Sequence, residues 1–257
     1  MADIKQSPAR VFAVTGKGGV GKTSISAIMV GLLAERFPGA RILAIDADPA
    51  VGLSTALDIT PELTLDDIRN TVTEAAEEGD GKKALELLSE ARYRVLDAVC
   101  EADGFCFLAV GRPESAGCYC KINSYLKDTI ALLCESFDYI VIDGEAGIEQ
   151  INRRVMEKVT DLILVTDASK KGREVIKSIK DVADRLVMYE RAGVIANRLP
   201  SAEAAEHIDT LDLPLLAAIT SDADLAEYDM MGKSLLQLPD EAVSVVGVRQ
   251  ALGQLLS

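Results

Sequence analysis

The residues Gly16-Lys17-Gly18-Gly19-Val20-Gly21-Lys22-Thr23 carry the spacing G-x-x-x-x-G-K-[ST], and each residue type there has a chemical use. The glycines let a short loop turn with its N–H groups pointing inward. Those donors, from Gly18 through Ser24, bind phosphate oxygens together with the N-terminus of a following helix. Lys22 adds a point charge near the terminal phosphates, and the Thr23 hydroxyl can ligate Mg²⁺. A glycine-rich turn with no ligand is the plainer alternative. The surroundings argue against it: an apolar strand-like run, Arg10 to Thr15, comes before the loop, and a helix-like run, Ser24 to Glu35, follows it.

Two further apolar runs end in carboxylates. Arg41 to Asp46 leads into Asp46-Ala47-Asp48-Pro49, and Tyr139-Ile140-Val141-Ile142 leads into Asp143. Ligands of doubly wound sheets sit outside the carboxyl ends of the strands, so these groups are expected to meet the phosphate loop. Asp143 has the Walker B pattern and should hold Mg²⁺ directly or through water. Asp46, at its strand end, is placed to act on the water around that ion, and Asp48 to orient an attacking water. Phosphoryl transfer needs mainly positioning and charge neutralisation, so no histidine base is required. An Asp-Pro turn at Asp48 and a capping carboxylate at Asp143 are the structural alternatives.

Cys118-Tyr119-Cys120 sits in a Gly/Pro-containing loop, residues 111–120, ahead of a helix expected from about Ile122 to Ser136. A helix N-terminus favours thiolate, and Lys121 adds a cation. A closed Zn²⁺ site wants four ligands and this pair supplies two, so a twofold dimer would complete it. Thiolates take Ni²⁺ as well as Zn²⁺. Ordinary reduced thiols, or a redox pair, remain the alternative. Cys100, Cys106 and Cys134 lie among apolar neighbours and are expected in the core. The lone His207 is expected at the surface.

These residues need a frame that brings loops from distant parts of the chain to one edge. Strand and helix signals alternate throughout the 257 residues, which predicts an α/β fold: one doubly wound, mostly parallel sheet flanked by helices, in a single domain spanning residues 1–257. A helical insertion is expected over about 60–104, with helices at Leu63–Val72 and Lys82–Val99 and a solvated acidic turn from Glu74 to Asp80. A helix is expected to end near Lys158, another to span Lys171–Tyr189, and strands to cover Leu162–Thr166, Gly193–Ala196 and Pro214–Ile219. The net charge of −14 argues against non-specific nucleic-acid binding and against an anionic membrane surface. With no long apolar run and no signal-peptide pattern at the start, a cytoplasmic location is expected.

The string Lys17-Gly18-Gly19-Val20-Gly21-Lys22-Thr23 resembles the deviant Walker A loop of dimerising P-loop ATPases, the group of MinD, ParA, the nitrogenase iron protein and the CooC-type nickel-insertion ATPases. That resemblance implies ATP as the nucleotide, a homodimer, and a Lys17 that reaches the partner's nucleotide as a catalytic group. Asp46-Ala47-Asp48-Pro49 looks like the group's switch I and Asp143-Gly144-Glu145-Ala146-Gly147-Ile148-Glu149 like its switch II, in the CooC form. Asn197-Arg198, after a strand, matches the adenine-reading asparagine. An amide suits that task because it both donates and accepts, although a strand-end cap is the plainer role. Thr220-Ser221-Asp222 would flank the same base by position. Together with Cys118/Cys120, the resemblance implies a metal, Ni²⁺ or Zn²⁺, at the dimer interface. It also implies a client nickel enzyme, a carbon monoxide dehydrogenase or an acetyl-CoA synthase. A MinD/ParA-like positioning ATPase and an iron–sulfur-bridged reductase are the other readings. The chain's last ten residues hold a single basic residue, Arg249, too little for a membrane anchor of the MinD kind.

Overall fold

Phe12, Ala13 and Val14 are wholly buried along strand β1 (Arg10–Gly16), as are Leu43, Ala44 and Ile45 along β2 (Ile42–Asp46). Runs of this kind have no face to show water, so they require cover on both sides of a sheet. The computed structural model, which describes residues 8–48, 52–78, 81–111, 120–144, 151, 155, 158–186 and 188–257, supplies that cover. The remaining strands are β3 (Cys100–Ala102), β4 (Phe105–Ala109), β5 (Tyr139–Asp143), β6 (Lys158–Thr166), β7 (Met188–Leu199) and β8 (Leu215–Thr220). They form one sheet in the order β3-β4-β2-β5-β1-β6-β7-β8. Among the described residues every pairing is parallel except β3 with β4. This is the doubly wound, mostly parallel architecture expected from the alternation of elements.

Alternate residues of β1 serve different cores. Phe12 and Val14 pack with helix α1 (Lys22–Arg36), the short α2 (Gly52–Leu57) and the C-terminal helix α8 (Val243–Leu256), which follows α7 (Ala223–Met231). Val11 and Ala13 pack on the other face with α3 (Leu65–Glu77), α4 (Gly81–Asp97), α5 (Cys120–Cys134) and α6 (Lys170–Leu186). Strand β1 is flanked by β5 on one side and β6 on the other. The chain winds outward from it in both directions, so the loop leaving β1 sits at the switch point of the sheet.

Several expectations need correction. The stretch 60–104 is not wholly helical, because Cys100–Ala102 pairs antiparallel with β4 and closes that edge of the sheet. Helix α3 runs through Glu77 into the acidic segment expected to turn; the buried spacing Leu65, Ile68, Val72, Ala75 carries it there. Lys158 begins β6 and Met188 begins β7, and these two residues are register partners. Lys158 and Tyr189 therefore belong to strands, not helices, because pairing between two long strands overrides the polar local sequence. Asn197 and Arg198 lie inside β7 rather than after it. Cys134 is buried as expected, whereas Cys100 and Cys106 are only half-buried.

Candidate functional site

The loop that follows β1 is shaped by two close approaches. A Cβ on Gly16 would stand 2.1 Å from the Val165 carbonyl oxygen of β6, so no side chain fits where the strand ends. Gly21 adopts φ +91° and caps α1, and a Cβ there would meet the Asn197 Nδ2 at 2.5 Å. Val20 is buried between these points and ties the loop to the core. Lys22 begins α1 with its side chain buried, its Nζ donating to the Lys17 carbonyl at 3.4 Å. The first turn of α1, which includes Thr23 and Ser24, carries no acidic residue. An anion at this helix end thus meets N–H groups and a lysine, and no like charge from the helix itself.

Asp46 and Asp143 are register partners on β2 and β5, and both are fully buried. Asp46 accepts from the backbone N–H of Leu53 at 2.8 Å and of Asp48 at 3.1 Å. Burial, and next the charge of Asp143, raise its pKa to about 7, against these hydrogen bonds. Burial likewise raises Asp143 to about 6, opposed by the neighbouring Thr23 hydroxyl, by the hydrogen bond from Ser26 and by the charge of Lys22. Ser26 donates to Asp143 Oδ1 at 3.1 Å, whereas Oδ2 is buried with no hydrogen-bond partner among the described residues. Two buried carboxylates that resist ionising, one with an orphaned oxygen beside a threonine hydroxyl, form an oxygen donor set that fits a hard divalent cation. Asp48, two residues past β2, stands at the same edge.

Lys17 lies on the β6 side of the loop. Its Nζ pairs with Asp167 Oδ2 at 2.7 Å and donates to Ser169 Oγ at 3.2 Å. Burial raises Asp167, but hydrogen bonds from Lys17 and Ser169 outweigh it and hold the carboxyl below its ordinary value. On the β7 side, Asn197 Nδ2 donates to the Val20 carbonyl at 2.8 Å, and Arg198 Nη1 to the Gly19 carbonyl at 2.8 Å. Beyond them opens a cleft of about 400 Å³ lined by Gly21, Ser24, Asn197, Arg198 and the segment Thr220-Ser221-Asp222. Asp222 caps α7 by accepting from Leu225 N at 3.1 Å and also accepts from Ser244 N at 2.7 Å, fixing the cleft's outer wall.

Phosphate loop, acidic strand ends and cleft thus share one edge, the carboxyl end of the sheet. Of the cysteine pair, Cys118 lies outside the described residues and Cys120 is described only as the first residue of α5. The switch-like residues from Glu145 to Glu149 and Pro49 also lie outside them. His207 is exposed, at the end of a 3₁₀ turn. Sequence reasoning did not single out Ser26, Asp167 or Ser169. Asp167 carried a usable signal: like Asp46 and Asp143, it follows an apolar strand at the carboxyl edge.

Among known proteins, the chain is 35% identical over 235 residues to the ATP-binding protein MJ0685 of Methanocaldococcus jannaschii, covering 90% of this chain and 92% of that one. It is 27% identical to the carbon monoxide dehydrogenase accessory protein CooC of Rhodospirillum rubrum, covering 88% and 89%. Its fold superposes on the septum site-determining protein MinD of Pyrococcus horikoshii, solved with Mg-ADP, with a TM-score of 0.68 over 97% of this chain and 96% of that one at 22% identity. Residues 11–235 match the model of the CobQ/CobB/MinD/ParA nucleotide binding domain. The match spans most of the chain, which therefore belongs to that family and is an ATPase of the MinD/ParA type.

Proposed function

We propose that this ATPase binds Mg²⁺-ATP at the loop Gly16–Thr23, closes into a homodimer around it, and couples that cycle to delivery of nickel to a client enzyme. The nucleotide half of the proposal is carried by one observation: the buried Asp143 Oδ2, without a partner among the described residues, beside Thr23 at the foot of the phosphate loop. Thr23 and Asp143 would hold Mg²⁺, with Asp46 on its water, and the ion would neutralise phosphate charge. The backbone of Gly18 to Ser24 and the Lys22 ammonium bind the phosphates. Asp48 orients water for attack, and Lys17 leaves Asp167 to serve the neighbouring subunit's nucleotide.

The metal half is supported by Cys118-Tyr119-Cys120 and by the similarity to CooC, a carbon monoxide dehydrogenase accessory protein. Two thiols per chain become four in a twofold dimer, a ligand set for Ni²⁺ or Zn²⁺ as cargo. The client is then a carbon monoxide dehydrogenase or a related nickel enzyme. Metal analysis of wild type and of the Cys118→Ser/Cys120→Ser variant, with and without ATP and with mass measurement, tests this. Delivery requires about one metal per dimer in wild type and none in the variant. Equal nickel or zinc in both defeats the delivery reading and leaves a nucleotide-driven ATPase. Visible charge-transfer absorption from anaerobic protein would instead point to an iron–sulfur cluster.

A further inference from the structure

We infer that Asn197 and Arg198 are positioning residues that set the peptide planes of the phosphate loop, and that the irregularity in β7 exists to deliver them. The inference rests on the reading of Gly16–Thr23 as the nucleotide's phosphate site.

In a trans peptide, the C=O of one residue and the N–H of the next point in opposite directions. The Gly19 carbonyl shares its plane with the Val20 N–H, and the Val20 carbonyl shares its plane with the Gly21 N–H. Arg198 holds the first of these carbonyls and Asn197 the second, each at 2.8 Å. With the two carbonyls drawn towards β7, the Val20 and Gly21 N–H groups are turned the other way. The loop needs this help. Gly19 at φ +80° and Gly21 at φ +91° flank these planes, and glycine lets such planes rotate at little cost. A plane that flipped would present an oxygen to phosphate where a donor is needed.

Strand geometry explains why both side chains can reach. Consecutive residues of a regular strand point to opposite faces. Between Ala196 and Leu199 the pairing with β8 slips: Ala196 faces Ala218 and Leu199 faces Thr220, so β7 carries one extra residue. Arg198 takes φ +56°, an uncommon conformation for a non-glycine residue. A bulge of this kind re-aims a side chain. Here it turns two neighbouring side chains onto two neighbouring carbonyls. Gly21 has no Cβ, which admits the Asn197 amide at close range.

Binding of Mg²⁺-ATP and of Mg²⁺-tripolyphosphate, which has no base or ribose, separates loop positioning from base reading. Arg198→Met keeps the Cβ and the stem but loses the donors. It should weaken both ligands by the same factor, about tenfold for a lost charged hydrogen bond. Arg198→Lys should recover much of that. In hydrolysis the Met variant should raise KM by a similar factor with kcat nearly kept and the melting temperature unchanged. Weaker ATP with unchanged tripolyphosphate would overturn the inference in favour of a base or ribose contact, and unchanged binding of both would overturn it outright. A fall in kcat and melting temperature with KM unchanged would reduce Arg198 to a stability role. Wild type that binds neither ligand would overturn the phosphate-site reading itself, and this inference with it.

Discussion

If Lys17 serves a neighbour's nucleotide, its pairing with Asp167 competes with dimer formation, and Asp167→Asn should release it. The Lys17 and Asp167 side chains are 23% and 26% exposed, so water screens the pair only in part. A partly exposed ion pair with one supporting hydroxyl is worth about 1 kcal/mol. A twofold dimer breaks two such pairs, so their removal favours the dimer by about 2 kcal/mol, or about thirtyfold in its dissociation constant. Asparagine keeps an oxygen for the Ser169 N–H, which Asp167 Oδ1 accepts at 3.2 Å, so the start of α6 should hold. Sedimentation across a concentration series, with a non-hydrolysable ATP analogue, reads the effect. The neutral range lies above the depressed pKa of Asp167, so the carboxylate stays charged and the difference should be flat from pH 6 to 8. The reasoning fails if Asp167→Asn dimerises no more tightly than wild type while Lys17→Ala abolishes the dimer. Lys17 would then matter without being held back.

The Asp46/Asp143 pair makes the metal-free protein less stable as pH rises. Both groups have folded pKa values above the unfolded value of 3.8, so the folded state holds the extra protons and loses stability as pH rises from about 4, levelling off only above the folded values of about 6 and 7. Between pH 6 and 8 this amounts to about 2 kcal/mol, or about 4–8 °C in melting temperature. Added Mg²⁺-ADP should restore it at pH 8, and a scanning-calorimetry series that rises with pH would refute the pair's role. Asp143→Asn removes one of the two buried charges, so it should raise the metal-free melting temperature at pH 8 yet abolish Mg²⁺-dependent hydrolysis; a variant that still hydrolyses at the wild-type rate excludes Asp143 from the site. Gly21→Ala should cost about 1–2 kcal/mol from the positive φ alone. Because the new methyl group also pushes away Asn197, nucleotide binding should fall with it, as read by titration calorimetry.

What the sequence disclosed, and what it withheld, divides by distance along the chain. The loop, the helix behind it and the carboxylates at Asp46 and Asp143 announce themselves in single short windows, because apolar runs ending in glycine or aspartate have few structural meanings. The partners of the loop do not. Lys17 and Asp167 are 150 residues apart, and Asn197 is 177 from Val20. They meet only because β6 and β7 follow β1 in the sheet, an order that no local pattern encodes. The strand containing Asn197 was legible from Gly193 to Ala196 alone. Its extension on both sides comes from pairing with β6 and β8, and the bulge that aims Arg198 is a backbone state that arginine does not advertise. The acidic run after Thr73 failed differently. Its charges suggested a turn, but burial of Val72 and Ala75 on one face of α3 outweighed the charge on the other.

The placement of these partners bears on how such a loop can act as a switch. Its sequence supplies flexibility and charge, and the glycines that admit phosphate also leave its peptide planes undecided. Two restraints act on it from outside. The Asp167/Ser169 contact on the β6 side holds a lysine that the dimer would need, and the Asn197/Arg198 contacts on the β7 side hold two carbonyls. The first is an ion pair that a neighbour's phosphates can outbid, because a polyanion offers Lys17 more charge than a single carboxylate. The second is made to main-chain oxygens that phosphate repels, so anion binding has no reason to break it. The two clamps should therefore respond differently to nucleotide. Hydrogen exchange on the metal-bound, ATP-analogue complex should show added protection at Val20 and Gly21, whose N–H groups then meet phosphate, and a crystal structure of that complex should show Lys17 parted from Asp167. Release of both contacts at once, with deprotected amides at Val20 and Gly21, would mean that the loop is remade by nucleotide rather than held ready for it.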